Sequence, residues 1–476
     1  MSQTSDRSFF GDFEVEKVIS EPSSNYLLFQ DELVDHQVDQ LKILECLEFG
    51  LPIFNGSSFS NQVHFQTAYQ IPVQRWFPYM EGYSIKLVQA FLSELKITGN
   101  VFDPFAGSGT TLLASRQRNL DSFGIDVNPI SVLVARVENE KYLDEDIEDL
   151  QGEISKFALA GISNEIFSTP FNLAEKVFNK EILQALLWVK SYILRIESKK
   201  TRSIFFVAWL SIIEEVSNIK KEGNGIKYKN RKRTPYGYIN IDKELWEAQV
   251  FPDDKFSFVK FKLLRKLEMI INDIKYRYGN SNKKPAIIEG DCLNFDQMIT
   301  SEIQLTFFSP PYCNCFDYFE IHKVELWLGG FVNNQEEFKT LRNTGFRSNT
   351  NSLNHKSINY RNDQLEKLLS LLDKSKLWNN RIPEIIRGYF DDTNSLLSKL
   401  YNQTVAGGYV GIVIGNSAYG GVIIPSDLLT IEIARSIGFK VERVFVTRHL
   451  TTSSQQKKNL DSLKNYLRES IVLLRK

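Results

Sequence analysis

Val101-Phe-Asp-Pro-Phe-Ala-Gly-Ser-Gly-Thr110 reads as a short buried strand that runs into a glycine turn and then into a helix. Asp103 ends the strand. Gly107 and Gly109 let the backbone turn tightly and let a ligand approach without side-chain clash. A helix from about Thr110 to Gln117 follows, then a strand from Ser122 to Val127 and a helix from about Pro129 to Glu138. Upstream, Ile85, Val88, Phe91, Leu92 and Leu95 recur at helical spacing, and Gly99 closes that helix. This β-α-β-α rhythm predicts a mostly parallel sheet with helices on both faces.

Two acids give the turn its chemistry. The Asp103 carboxylate can accept from a ligand ammonium. Asp126, at the end of the second strand, can take both hydroxyls of a ribose. An ordinary strand-turn-helix with a surface acid is the competing reading. Asp-Pro-Phe-x-Gly-x-Gly-Thr with an acid sixteen residues further on outweighs it. Asp291 follows the strand Ala286 to Ile288 through Glu-Gly and is placed to meet an adenine amino group.

Phe307-Phe-Ser-Pro-Pro-Tyr312 is the second motif. Pro310 and Pro311 stiffen the loop and remove two N–H donors. The carbonyls of Ser309 and Pro310, with the Ser309 hydroxyl, are then free to accept from a planar amine. Tyr312 can stack on a base, a contact worth roughly 1–3 kcal/mol in single-strand binders. A base inside a duplex must be flipped out to reach such a loop.

The 476 residues suffice for two or three domains, and 42% apolar with 24% charged residues is a globular composition. A net charge of −1 means that nucleic-acid affinity must come from local basic patches. Four cysteines are too few for a disulfide scaffold and fit a reducing cytosol. Cys313 and Cys315, without further Cys or His partners nearby, make a poor zinc site, so neutral thiols and no metal are expected. His322 and His449 are expected in core or surface roles. No apolar run is long enough to span a membrane.

Residues 141–285 break the β/α rhythm with helical patterns at Lys180 to Arg195, Arg202 to Ile219 and Phe256 to Tyr278. Between the last two, the stretch 220–234 carries seven basic side chains and one acid: Lys220, Lys221, Lys227, Lys229, Arg231, Lys232 and Arg233 against Glu222. With Tyr228, Tyr236 and Tyr238 interleaved or adjacent, it is expected to contact phosphates, the competing reading being a solvated loop. A second insert, 333–390, holds the Asn/Ser-rich stretch Arg342 to Arg361, with Arg342, Arg347, His355 and Lys356 as further candidates.

These motifs resemble the amino-group DNA methyltransferases, the N4-cytosine/N6-adenine family. Further similar segments are Arg75-Trp-Phe-Pro-Tyr-Met-Glu-Gly82, Gly124-Ile-Asp-Val-Asn-Pro129, Phe316-Asp-Tyr-Phe319, Glu325-Leu-Trp-Leu328, Val413-Ile-Gly-Asn-Ser-Ala-Tyr-Gly-Gly421, Arg448 to Gln455 and Arg468 to Arg475. The resemblance implies a class I methyltransferase (Rossmann-like) α/β fold, with its cofactor half at 71–140 and its catalytic half at 286–332 and 391–476. It leaves residues 1–70 without a role. S-adenosylmethionine is the implied cofactor, held by Trp76, Phe77, Pro78, Asp103, Pro104, Phe105, Gly107, Gly109, Thr110, Asp126, Asn128, Asp291 and Cys292. The implied catalytic set is Ser309, Pro310, Pro311 and Tyr312. Double-stranded DNA is the implied partner, in bacterial or archaeal restriction–modification with a cognate restriction endonuclease. In that family Ser before Pro-Pro-Tyr goes mostly with N4 of cytosine. N6 of adenine in DNA and N2 of guanine in structured RNA stay open as alternatives.

Overall fold

The computed structural model describes residues 35–63, 70–80, 82–162, 165–223, 225–235, 237–276, 281–353, 357–451 and 460–476. Tyr236, His355 and Lys356 lie outside the described residues, as do 1–34, 64–69 and 452–459.

In chain order the strands are β1 (Ile53–Asn55), β2 (Val101–Asp103), β3 (Ser122–Asp126), β4 (Ile219–Glu222), β5 (Gly225–Tyr228), β6 (Arg231–Thr234), β7 (Gly237–Asn240), β8 (Ala286–Glu289), β9 (Ile303–Phe308), β10 (Thr404–Gly415), β11 (Ser417–Tyr419), β12 (Val422–Ile424), β13 (Lys440–His449) and β14 (Arg468–Arg475). Eight of them form one sheet in the order β1-β13-β14-β10-β9-β2-β3-β8. Every pairing in it is parallel except those of β14 with β10 and β13. A single reversed strand wedged between the last parallel pair is the strand pattern of a class I methyltransferase. The chain leaves β2 toward β3 and β8, then returns to β9 on the other side of β2. That reversal opens a crevice at the carboxyl ends of β2 and β9, where open α/β sheets bind ligands.

Local sequence accounts for the helices that flank the crevice. Ser84 caps Ile85–Glu94 by accepting from Lys86 N–H at 3.3 Å. Asn128 caps Pro129–Glu138 by accepting from Ile130 N–H at 3.0 Å, with proline in the first turn.

The first insert is not wholly helical. The helix expected to reach Ile219 ends at Ile212, and the basic stretch folds as two antiparallel hairpins, β4–β5 and β6–β7. Its helices Lys180–Leu194, Lys199–Ile212 and Lys255–Lys275 share one hydrophobic core with the sheet: Trp188, Phe205 and Leu263 belong to the cluster that holds Phe91, Phe307 and Ile471. In the second insert, the helix Ile382–Gln403 runs straight through the expected boundary at 390/391. Its buried stripe (Ile386, Tyr389, Phe390, Leu397) packs in the core on the other face of the sheet with Ile412 and Val472.

Candidate active site

The crevice holds a pocket of about 970 Å³, its mouth included. Its cofactor side is built from the first motif. Gly107 (φ 51°) donates its N–H to Asp126 Oδ2 at 2.9 Å, and Asn128 N–H donates to Asp126 Oδ1 at 2.8 Å. A Cβ on Gly107 would sit 3.0 Å from the Tyr79 ring, so only glycine lets the turn pass beneath that ring. Burial pushes the Asp126 carboxyl up to about 6, against the pull of those two N–H groups. Two backbone bonds leave lone pairs on both oxygens, and Asp126 lines the pocket. A ribose diol therefore fits there. Asp291 caps the turn Cys292–Asn294 through Leu293 N–H at 2.9 Å and lines the pocket with Cys292. Pro104, Phe105 and Thr110 line it as well.

Several expected cofactor residues stand one layer back. Asp103 is buried beneath Tyr83, whose hydroxyl donates to it at 3.0 Å, while Phe105 N–H donates at 3.0 Å. Burial pushes its carboxyl to about 7, opposed by the Phe105, Thr111 and Tyr83 bonds. Tyr83, not Asp103, meets the pocket. Gly109 (φ 85°) is absent from the lining. A Cβ there would lie 2.6 Å from Asn139 Nδ2 and 3.0 Å from Ala135 Cβ, so this glycine serves helix packing. Trp76, Phe77 and Pro78 do not line the pocket either. The Trp76 indole is buried and donates to Asp273 Oδ2 at 3.0 Å, and Phe77 packs on His322. Tyr79, the next residue, takes the place expected of them, stacked on His322 at 5.8 Å. His322 is a core residue, and burial, with Lys221 beside it, holds its pKa well below the usual range.

On the catalytic side, Ser309 Oγ donates to the Val413 carbonyl at 3.0 Å. With its proton engaged, the hydroxyl can only accept from a ligand. Ser309 and Pro311 line the pocket; Pro310 and Tyr312 do not. The Tyr312 hydroxyl donates to Glu469 Oε1 at 2.8 Å, and Arg448 grips the same carboxylate at 2.6 and 3.1 Å. The ring rests on Gly415, where a Cβ would lie 2.6 Å from Cε2. Tyr312 thus props the loop, and the pocket's aromatic wall is Tyr79, Tyr83, Phe105, Tyr318, Phe319 and Phe346. Cys313 and Cys315 are neutral thiols, pushed up by burial. Among the described residues no group of three or more His, Cys, Asp or Glu could hold a metal ion.

Phe346 comes from the second insert, which was expected to face DNA. Its segment Thr344, Gly345, Phe346, Ser348 and Asn349 closes the pocket. Arg347 points the other way. It is 2% exposed, bonded through Nε to Asp392 at 2.9 Å and through Nη2 to Asp391 and Asp392 at 2.5 Å each. Arg342 pairs with Asp317 and covers the Phe338 ring. Neither arginine is presented to a polyanion, because nearby carboxylates already neutralise both.

The same holds for part of the basic stretch. Lys221 is buried in an ion pair with Glu325, and Lys229 donates to the carbonyls of Glu214 and Ser217 at 2.6 and 2.9 Å. Lys220 and Lys227 are about half exposed and share Glu222. Arg231, Lys232 and Arg233 are exposed along β6, Arg231 lying over the Tyr238 ring.

The fold and this pocket define a class I methyltransferase that uses S-adenosylmethionine. The chain is similar to Type II DNA methyltransferases, in keeping with the amino-group family that its motifs resemble. It is 26% identical over 440 residues to Type II methyltransferase M.AvaI of Nostoc sp., covering 87% of this chain and 88% of that one. It is 25% identical over 439 residues to Type II methyltransferase M.BsoBI of Geobacillus stearothermophilus, covering 83% and 84%. No family model matches the chain. The solved rRNA methyltransferase aviRa from Streptomyces viridochromogenes aligns at 10% identity over 83% of this chain and 85% of that one, with a TM-score of 0.24, too low to decide anything.

Proposed function

We propose that this chain is a site-specific DNA methyltransferase acting on the N4 amino group of cytosine. The observation that carries the reading is the Ser309–Val413 hydrogen bond. It fixes an acceptor-only hydroxyl at the end of β9, in the same pocket as the Asp126 ribose site. An amine held by that hydroxyl and the neighbouring carbonyls has its lone pair directed away from them. S-adenosylmethionine supplies an electrophilic methyl with a good leaving group. The protein's task is then orientation, because holding the reacting atoms in line accounts for most of the rate gain. Neutral thiols and a tied-back Tyr312 offer no competing nucleophile.

Serine before Pro-Pro-Tyr favours cytosine by the family resemblance. The base reaches the pocket by flipping, and the duplex is gripped by the exposed Lys220, Lys227, Arg231, Lys232 and Arg233 of the two hairpins. Among the described residues no helix is long and apolar enough to cross a membrane. A cognate restriction endonuclease cutting the same sequence is the companion this reading implies, by analogy with the Type II relatives. Nucleoside mass spectrometry of DNA exposed to the protein and cofactor tests it. N4-methylcytosine is the expected product. N6-methyladenine without N4-methylcytosine would overturn the base assignment, and methylation of RNA alone would overturn the DNA assignment.

A further inference from the structure

Asn349 sits in the segment that closes the pocket and is 6% exposed. Its Oδ1 accepts from Asn351 N–H at 2.9 Å and from Ser352 N–H at 3.1 Å. Its backbone N–H donates to Ser352 Oγ at 3.2 Å, and that hydroxyl donates back to the Asn349 carbonyl at 3.0 Å. These bonds fix which end of the amide faces the loop: the oxygen is used twice, and no hydrogen bond among the described residues uses Nδ2. The loop cannot easily turn to alter this. Arg347 is clamped by Asp391 and Asp392, Cys315 N–H donates to the Ser348 carbonyl at 3.1 Å, and Asn351 Nδ2 donates to Asp317 at 2.9 Å. A nearly buried donor therefore lines the same pocket as the acceptor-only Ser309 hydroxyl.

We infer that Asn349 Nδ2 donates to the ring nitrogen next to the exocyclic amine of the target base, while Ser309 Oγ accepts from that amine. The inference rests on the amino-group reading above. In cytosine the two groups are N4 and N3, and in adenine they are N6 and N1, each an amine donor beside a lone-pair acceptor. Thymine, and guanine at its O6–N1 edge, present the reverse, a carbonyl beside a ring N–H. Both would set acceptor against acceptor and donor against donor. The pair thus selects for an amine beside an unprotonated ring nitrogen before chemistry begins, and a site built around such bonds discriminates strongly against a base edge that cannot make them.

Asn349→Asp is the informative variant, because a carboxylate still accepts both turn N–H groups and replaces only the donor. We expect kcat/KM for methyl transfer to fall roughly 10- to 100-fold, the range of a good base-edge contact. The variant should still fold and still bind cofactor, as melting temperature and calorimetry will read. A second arm needs no variant: an oligonucleotide whose target base carries C–H in place of that ring nitrogen. Wild-type protein should lose a similar factor on it, and Asn349→Asp should lose little more. Equal turnover of the natural and C–H bases by wild-type protein would overturn the inference. So would a folded, cofactor-binding Asn349→Asp with wild-type activity, or penalties that simply add. If wild-type protein methylates no DNA base at all, the underlying functional reading falls and takes the inference with it; a silent variant of an active enzyme sinks the inference alone.

Discussion

Lys221 Nζ stands 2.6 Å from Glu325 Oε1, with both side chains 2% exposed. The pair joins β4 to the helix Lys323–Gly329, directly behind the His322 ring on which Tyr79 stacks. Removing one partner strands a buried charge. Lys221→Met should cost about 3–5 kcal/mol in urea unfolding. Lys221→Met with Glu325→Leu should recover most of it. A single variant within 1 kcal/mol of wild type would show that the pair is not buried in solution.

Arg231, Lys232 and Arg233 call for the opposite outcome. They are exposed, so replacing all three with alanine should leave the melting temperature unchanged. Duplex affinity should fall alike for cognate and unrelated sequences. The slope of log K against log salt should become shallower by about 0.9 per lost phosphate contact. Anisotropy titrations at several salt concentrations measure this; an unchanged slope would place the DNA elsewhere.

Tyr312 offers a third test, since its hydroxyl is engaged by Glu469 and its ring by Gly415. Tyr312→Phe loses one hydrogen bond to a charged group, about 1.5–3 kcal/mol of stability. It should keep methyl-transfer activity within about tenfold, because that loss falls on the stability of the fold and not on the transition state. Gly415→Ala, which drives a Cβ into that ring, should disturb the loop and reduce kcat far more than it alters cofactor binding. A larger kcat loss in Tyr312→Phe than in Gly415→Ala would give the tyrosine hydroxyl a direct part in the reaction.

Burial raises the Asp126 carboxyl from its ordinary 3.8 to about 6 and that of Asp103 to about 7. A carboxyl with a higher pKa folded than unfolded favours the folded state fully below the unfolded pKa. That contribution is lost as pH rises through the folded pKa. Ligand-free protein should therefore lose stability between about pH 4 and pH 7 from these two groups, and Asp126→Asn should flatten part of the slope. Cofactor affinity should run the other way. Ribose hydroxyls donate best to an ionised Asp126, so calorimetric affinity should decline as pH falls through about 6. A pH-independent affinity would remove Asp126 from the ribose site.

Much of the fold was legible because its signals are local. The helices Thr110–Gln117 and Pro129–Glu138 stand where apolar period, glycine and cap residue place them. The hairpins at 219–240 were not legible. β7 is exposed throughout and β6 nearly so, and neither shows the alternation of a half-buried strand. The glycines of Glu222-Gly-Asn-Gly225 and Thr234-Pro-Tyr-Gly237 were the available turn signal. At the site, Asp126 and Ser309 were readable from their place after a strand. Trp76 was not, because its partner Asp273 lies 197 residues away. Arg347 misled for a related reason: a run of Arg, Asn and Ser says nothing about two aspartates arriving from a later helix.

The Arg347 clamp also decides which partner must rearrange during turnover. With the Thr344–Ser352 segment bolted to Asp391 and Asp392, the mouth of the pocket is a fixed jaw, already shaped when DNA arrives. Under the proposed base flipping, the work of entry then falls on the duplex, through the lost stacking and pairing of one nucleotide. A target base opposite a mismatch or an abasic gap has already surrendered most of that and should enter faster than the same base in a perfect helix.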